Sequence, residues 1–113
     1  MLPGEVYLAQ FPFGDIPGMK LRPVLLLTRT LGHVPEVLVA YISSVVPPQP
    51  LPSDIVIDPS KPEFKSINLK TPSALRLHKL ATIHASSIVR YLGSAAPGLQ
   101  MDVAARLRTL LAL

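Results

Sequence analysis

Two short stretches of this chain carry residues suited to phosphate chemistry. In Lys20-Leu21-Arg22-Pro23-Val24-Leu25-Leu26-Leu27 an arginine stands at the mouth of a strongly apolar run. In Tyr41-Ile42-Ser43-Ser44 the next apolar run ends on a pair of hydroxyls. The proline after Arg22 biases that residue toward extended backbone and away from helix. Its guanidinium stays charged at any working pH and presents a planar fork that matches a phosphate. A serine hydroxyl brought beside that fork would complete a small site for a phosphodiester. Taken singly, Arg22 also reads as half of a strand-end salt bridge, and Ser43 as a hydroxyl bonded to backbone.

Other side chains could join such a site. His78 carries an imidazole, a side-chain type suited to proton transfer. It stands two residues from Arg76, so both share one face of an extended strand, with Lys79 next in line. A solvent-facing strand residue is the plainer reading of His78. Phe13 could stack on a base or simply pack. His33 falls in a turn, and His84 shows no ligand spacing with any carboxylate, so no metal site is expected. Asp54 and Asp58 flank a short apolar run and read as solvated edge charges, and Lys61 and Lys65 as loop cations.

The elements that must position these residues are short. Glu5–Phe11 alternates as a strand does, opened by Pro3-Gly4, and residues 12–18 are dense in turn formers. Arg22–Thr30 reads as a strand buried on both faces, Gly32-His33 turns the chain, and Glu36–Ser43 returns as its hairpin partner. Residues 47–52 carry too many prolines to join a sheet. Asp54–Asp58, Ser66–Leu69 and Ser73–Leu80 read as short strands, and His84–Tyr91 as a short helical segment closed by Gly93. Met101, Ala104, Leu107, Leu110 and Leu111 recur at helical spacing, which predicts a terminal helix buried on that stripe. The expected fold is mainly β with a C-terminal α-helix, a small antiparallel barrel in one domain over 1–113.

Composition narrows the class. Hydrophobic residues make up 49% and charged residues 16% of the 113, which excludes a disordered chain and leaves apolar surface for a partner. A net charge of +4 favours an anionic partner. Cysteine is absent, so neither disulfides nor thiolate metal sites are available, which fits a reducing cytoplasm. The longest apolar run, Pro23–Leu27, is far too short to span a bilayer, and Met1-Leu2-Pro3-Gly4-Glu5 does not open as a secretory signal does.

These landmarks, in order, resemble the MazF/PemK family of toxin endoribonucleases, in its PemK-like branch. The resemblance runs from Gly4 to Leu111. It rests on Gly4-Glu5-Val6-Tyr7-Leu8, on Phe11-Pro12-Phe13-Gly14-Asp15 followed by the Arg22-Pro23 strand, and on Tyr41-Ile42-Ser43-Ser44. Residues 69–83, Ile88 through Gly93 and the terminal helix complete it. It implies an SH3-like barrel that dimerises and cuts single-stranded RNA without metal or other cofactor. A cognate antitoxin would block it with an extended acidic C-terminal segment. The family's arginine and its serine or threonine fall on Arg22 and Ser43 as catalytic residues, with Ser44 the neighbouring alternative. Phe13, Asp15, Lys20, Arg76, His78 and Lys79 are then the expected RNA contacts. The chain departs from the family in its first loop, which offers only Asp15 where many members carry glutamate, and at His78 and Lys79. Two alternatives on the same fold stay open: a CcdB-like gyrase-binding toxin, and a homologue that holds its antitoxin but cuts poorly.

Overall fold

The apolar run after Arg22 and the one before Ser43 form the two central strands of the protein. The computed structural model describes residues 1–12 and 19–113. Six strands follow in chain order: β1 (Glu5–Pro12), β2 (Met19–Leu26), β3 (Glu36–Ser43), β4 (Asp54–Ile57), β5 (Ser73–His84) and β6 (Ile88–Ser94). One helix, α1 (Pro97–Leu111), ends the chain. The strands pair antiparallel in a single sheet ordered β4-β5-β3-β2-β1-β6.

Near-continuous apolar runs suit strands buried on both faces. Leu25, Ala40 and Ile42 join Val6, Ile55, Leu75 and Leu77 in a core capped by Leu99 and Val103 of α1. The alternate residues Val24, Leu26, Val37, Val39 and Tyr41 join Ala9 and Ile83 in a second core on the opposite face. β5 adds Ile83 to this second core after an irregularity in its pairing. Its register with β3 jumps from Tyr41↔Arg76 to Ala40↔Leu80, which leaves Leu77, His78 and Lys79 as extra residues in β5. Such a bulge adds twist and redirects a strand, and here it carries Ile83 over the second core.

The mainly β fold with a C-terminal helix is as expected; among the described residues β4 and β6 do not pair, so strand pairing gives an open six-stranded sheet and does not itself close the expected barrel. The two edges are instead bridged by the segment after β4. Its 3-10 turn, Pro62–Ile67, ends at Asn68 in the left-handed region, φ 53°. Ser66 Oγ donates to the Ser94 carbonyl at 2.6 Å, and Asn68 Nδ2 donates to the Leu92 carbonyl at 2.7 Å. Gly93 makes the approach possible, because a Cβ there would stand 2.0 Å from the Ser66 carbonyl oxygen.

Three local expectations are also corrected. Ser66–Leu69 is the end of the 3-10 turn rather than a strand. His84–Tyr91 is not helical; β5 runs through His84, a three-residue turn follows, and β6 begins at Ile88. The β-branched and aromatic residues of Ile88-Val89-Arg90-Tyr91 fit a strand better than a helix. In α1 the buried residues are Leu99 and Val103, whereas Met101 is 73% exposed and Leu110 and Leu111 also face outward. Pro97 at the first helical position sets the start of α1. Among the described residues no helix is long and apolar enough to cross a membrane.

Candidate nucleic-acid interface

The β2–β3 ladder runs from Leu26↔Val39 to Val24↔Tyr41 and stops there. The next residue of β2 is Pro23, whose ring nitrogen has no proton to donate to a ladder. Continuing the same register by two residues sets Arg22 against Ser43, just beyond the last pair and on the face of Val24 and Tyr41. Tyr41 pairs in turn with Arg76 of β5, and Arg76 with Asp54 of β4. Residues directly opposite in antiparallel strands share a face. Arg22, Tyr41, Ser43, Arg76 and Asp54 therefore occupy one end of one side of the sheet. The bulge adds His78 and Lys79 to that side.

Each side chain has a defined setting. Arg22 is half-buried and donates from Nη1 to the Leu21 carbonyl at 3.1 Å. Ser43 is buried, and its Oγ accepts the backbone N–H of Val45 at 3.1 Å. Lys79 places Nζ 5.8 Å from the centre of the Tyr41 ring, within range of a cation–π attraction. Lys20 and Ser44 are exposed. His78 is partly exposed and lines a groove of about 550 Å3 with Leu51, Pro52, Ala105, Arg106 and Leu110. Phe13 and Asp15 lie outside the described residues.

The acid at this end of the sheet is Asp54, which corrects its reading as a solvated edge charge. Its side chain has no solvent exposure, and Oδ1 accepts from Arg76 Nε at 3.0 Å. Oδ2 accepts the Leu51 backbone N–H at 2.8 Å, and His78 Nδ1 stands 3.7 Å from Oδ1. A carboxylate in such a place must be paired, and removing one partner of a buried pair typically costs about 3–5 kcal/mol. No local pattern marks Asp54; a single acid next to an apolar run is ordinary at a strand start. Asp58, by contrast, is only partly buried. Hydrogen bonds from the Ser60 hydroxyl and backbone N–H hold its carboxyl below the usual carboxylate range.

The arrangement is a shallow basic face with one hydroxyl at its centre and two arginines on either side of β3. Strands lie roughly 5 Å apart, so Arg22 and Arg76 straddle a span suited to an extended chain of phosphates. The fold and this face define a small β-sheet domain with basic side chains gathered at one end of one side of the sheet.

The chain belongs to the PemK-like, MazF-like toxins of type II toxin–antitoxin systems, whose family model matches residues 2–111. Among solved structures it is similar to the Mycobacterium tuberculosis toxin MazF-mt6, at 25% identity and a TM-score of 0.73 over 96% of this chain and 97% of that one. It is also similar to an endoribonuclease solved with its cognate antitoxin from a mycobacterial species, at 19% identity and a TM-score of 0.68 over 100% and 96% of the two chains. A third likeness is MazF from Deinococcus radiodurans, at 14% identity and a TM-score of 0.71 over 100% and 97%. No curated protein sequence matches the chain.

Proposed function

We propose that the chain is the toxin of such a pair and acts as an endoribonuclease on single-stranded RNA, as a homodimer held in check by an antitoxin with an acidic C-terminal segment. What supports this reading is that the β2–β3 ladder ends at Val24↔Tyr41, two residues short of Arg22 on one strand and of Ser43 on the other, with Arg76 paired to Tyr41. Arg22 and Ser43 are the catalytic residues of the proposal. Lys20, Ser44, Arg76, His78 and Lys79 contact RNA, joined by Phe13 and Asp15 from the first loop. The cytoplasm, where messages are translated, is the place of action.

The chemistry follows from what these groups can do. The ribose 2′-hydroxyl attacks the adjacent phosphorus, and the bond to the leaving 5′-oxygen breaks. Charge builds on the non-bridging oxygens, where the Arg22 fork can bind it. Arginine holds its proton too tightly to be a useful acid near neutrality. Ser43 positions a phosphate oxygen by donating its hydroxyl proton in a hydrogen bond. His78 suits proton transfer, worth typically 10²–10⁴-fold. The attacking oxygen comes from the substrate, because the chain lacks cysteine and its serines show no activating triad.

Cleavage of a labelled RNA in excess chelator tests the reading. The expected products are a 2′,3′-cyclic phosphate, or the 3′-phosphate it opens to, and a 5′-hydroxyl. A single deoxyribose 5′ of the scissile bond should abolish cutting while binding stays nearly unchanged. Cutting at that deoxy position would refute the mechanism.

A further inference from the structure

Asp54 is the one charged residue buried among the described residues, and the chemistry above gives it no task. It is fixed from two directions. On the sheet side its carboxylate takes Arg76 Nε at 3.0 Å and the Leu51 N–H at 2.8 Å. On the helix side Arg106 Nη1 donates to the carbonyls of Asp54 and Pro52, at 2.9 and 2.8 Å, while Arg106 Nε bonds Asp102 at 2.9 Å. The first residue of β4 is thus clamped between the sheet and α1. A carboxylate held this firmly dictates where its guanidinium partner points.

Arg76 is held through Nε alone. Among the described residues no hydrogen bond engages its two Nη groups, and its side chain is 20% exposed. It pairs with Tyr41 in the β3–β5 ladder, one step on the same face from the Ser43↔Ala74 pair. A guanidinium gripped at one edge keeps its fork aimed, which suits a bidentate phosphate contact.

We propose that Asp54 is a positioning residue for the RNA site: its buried carboxylate aims Arg76 so that both Nη groups meet a phosphate next to the one bound by Arg22. This rests on the endoribonuclease reading for its substrate, single-stranded RNA, but not on cutting.

The sign of one measurement separates aiming from simple charge. Asp54→Asn removes a negative charge beside the site, so charge alone predicts tighter RNA binding. Aiming predicts weaker binding, by about tenfold, because a mobile guanidinium must be ordered at each encounter. The probe is a 2′-O-methyl oligonucleotide, which binds as RNA does and offers no 2′-hydroxyl. Melting curves first establish that each variant is folded. Asp54→Asn should weaken binding in the wild-type background and have little effect beside Arg76→Gln. Arg76→Lys should bind no better than Arg76→Gln, an arm that remains available if Asp54→Asn does not fold. A folded Asp54→Asn that binds as tightly as wild type, or an equal loss beside Arg76→Gln, overturns the proposal. So does wild-type affinity in Arg76→Lys. Wild-type protein that binds the probe but leaves RNA uncut would refute the endoribonuclease reading while the Asp54 effect is still measured.

Discussion

The Ser43 Oγ accepts the backbone N–H of Val45 at 3.1 Å, a bond that fixes the hydroxyl at the end of β3. A hydroxyl that accepts in this way still has its own proton to donate. Ser43→Ala should lose both the turn bond and the contact to phosphate, lowering cleavage by roughly tenfold and stability by about 1 kcal/mol. Ser43→Thr should retain both. Ser44 is exposed and placed only as an RNA contact, so Ser44→Ala should lower cleavage less than Ser43→Ala does; the reverse order would make Ser44 the functional hydroxyl. Cleavage assays on the three variants decide which serine belongs to the site.

Arg22 stands just past the end of the β2–β3 ladder and outside both cores. Arg22→Ala should therefore leave the melting temperature near wild type while cleavage falls by roughly 10²-fold or more. Arg22→Lys should recover little, since an ammonium is a point charge without the fork. Undiminished cutting in a folded Arg22→Ala would remove this residue from the mechanism.

Gly93 is a structural prediction independent of function. Its hydrogen leaves room for the Ser66 carbonyl, and a methyl group there would collide with backbone. Gly93→Ala should destabilise by about 3 kcal/mol and lower Tm by more than roughly 10 °C. Equal melting curves would show that the 3-10 turn does not hold the β6 edge.

Outward-facing Met101, Leu110, Leu111 and Leu113 leave apolar surface on and beyond α1, and Val89 and Tyr91 leave more on β6. A second copy is the expected cover in the absence of antitoxin. Sedimentation at micromolar concentration should give about twice 12.2 kDa. A 12.2 kDa species there would count against the homodimer.

Much of this protein is written in local chemistry. Pro23 and the apolar residues after it are enough to place a buried strand, but β2 runs from Met19 to Leu26 rather than from Arg22 to Thr30, so Arg22 lies within it, paired with Ala9, and not at its mouth. The hairpin through Gly32 is enough to return the chain to Ser43. Those signals act between residues close in sequence, so a reading of the sequence finds them, and the ordered landmarks point to the family.

Other features depend on contacts that no local pattern encodes. Asp54 looks like any strand-edge acid until β5 brings Arg76 to it and α1 brings Arg106 to its carbonyl. His78 and Lys79 reach the site face through a bulge that exists only because β3 and β5 change register between Ala40 and Tyr41. The β-branched and aromatic residues of Ile88–Tyr91 do mark β6 as a strand locally, but the bonds that Ser66 and Asn68 donate to its edge come from more than twenty residues away. The helix shows the reason most plainly. Apolar residues occur on several sides of α1, so periodicity fits the stripe of Met101 and Leu110 as well as that of Leu99 and Val103. Amphipathic spacing alone could predict a helix, but only the position of the sheet decided which side lost contact with water.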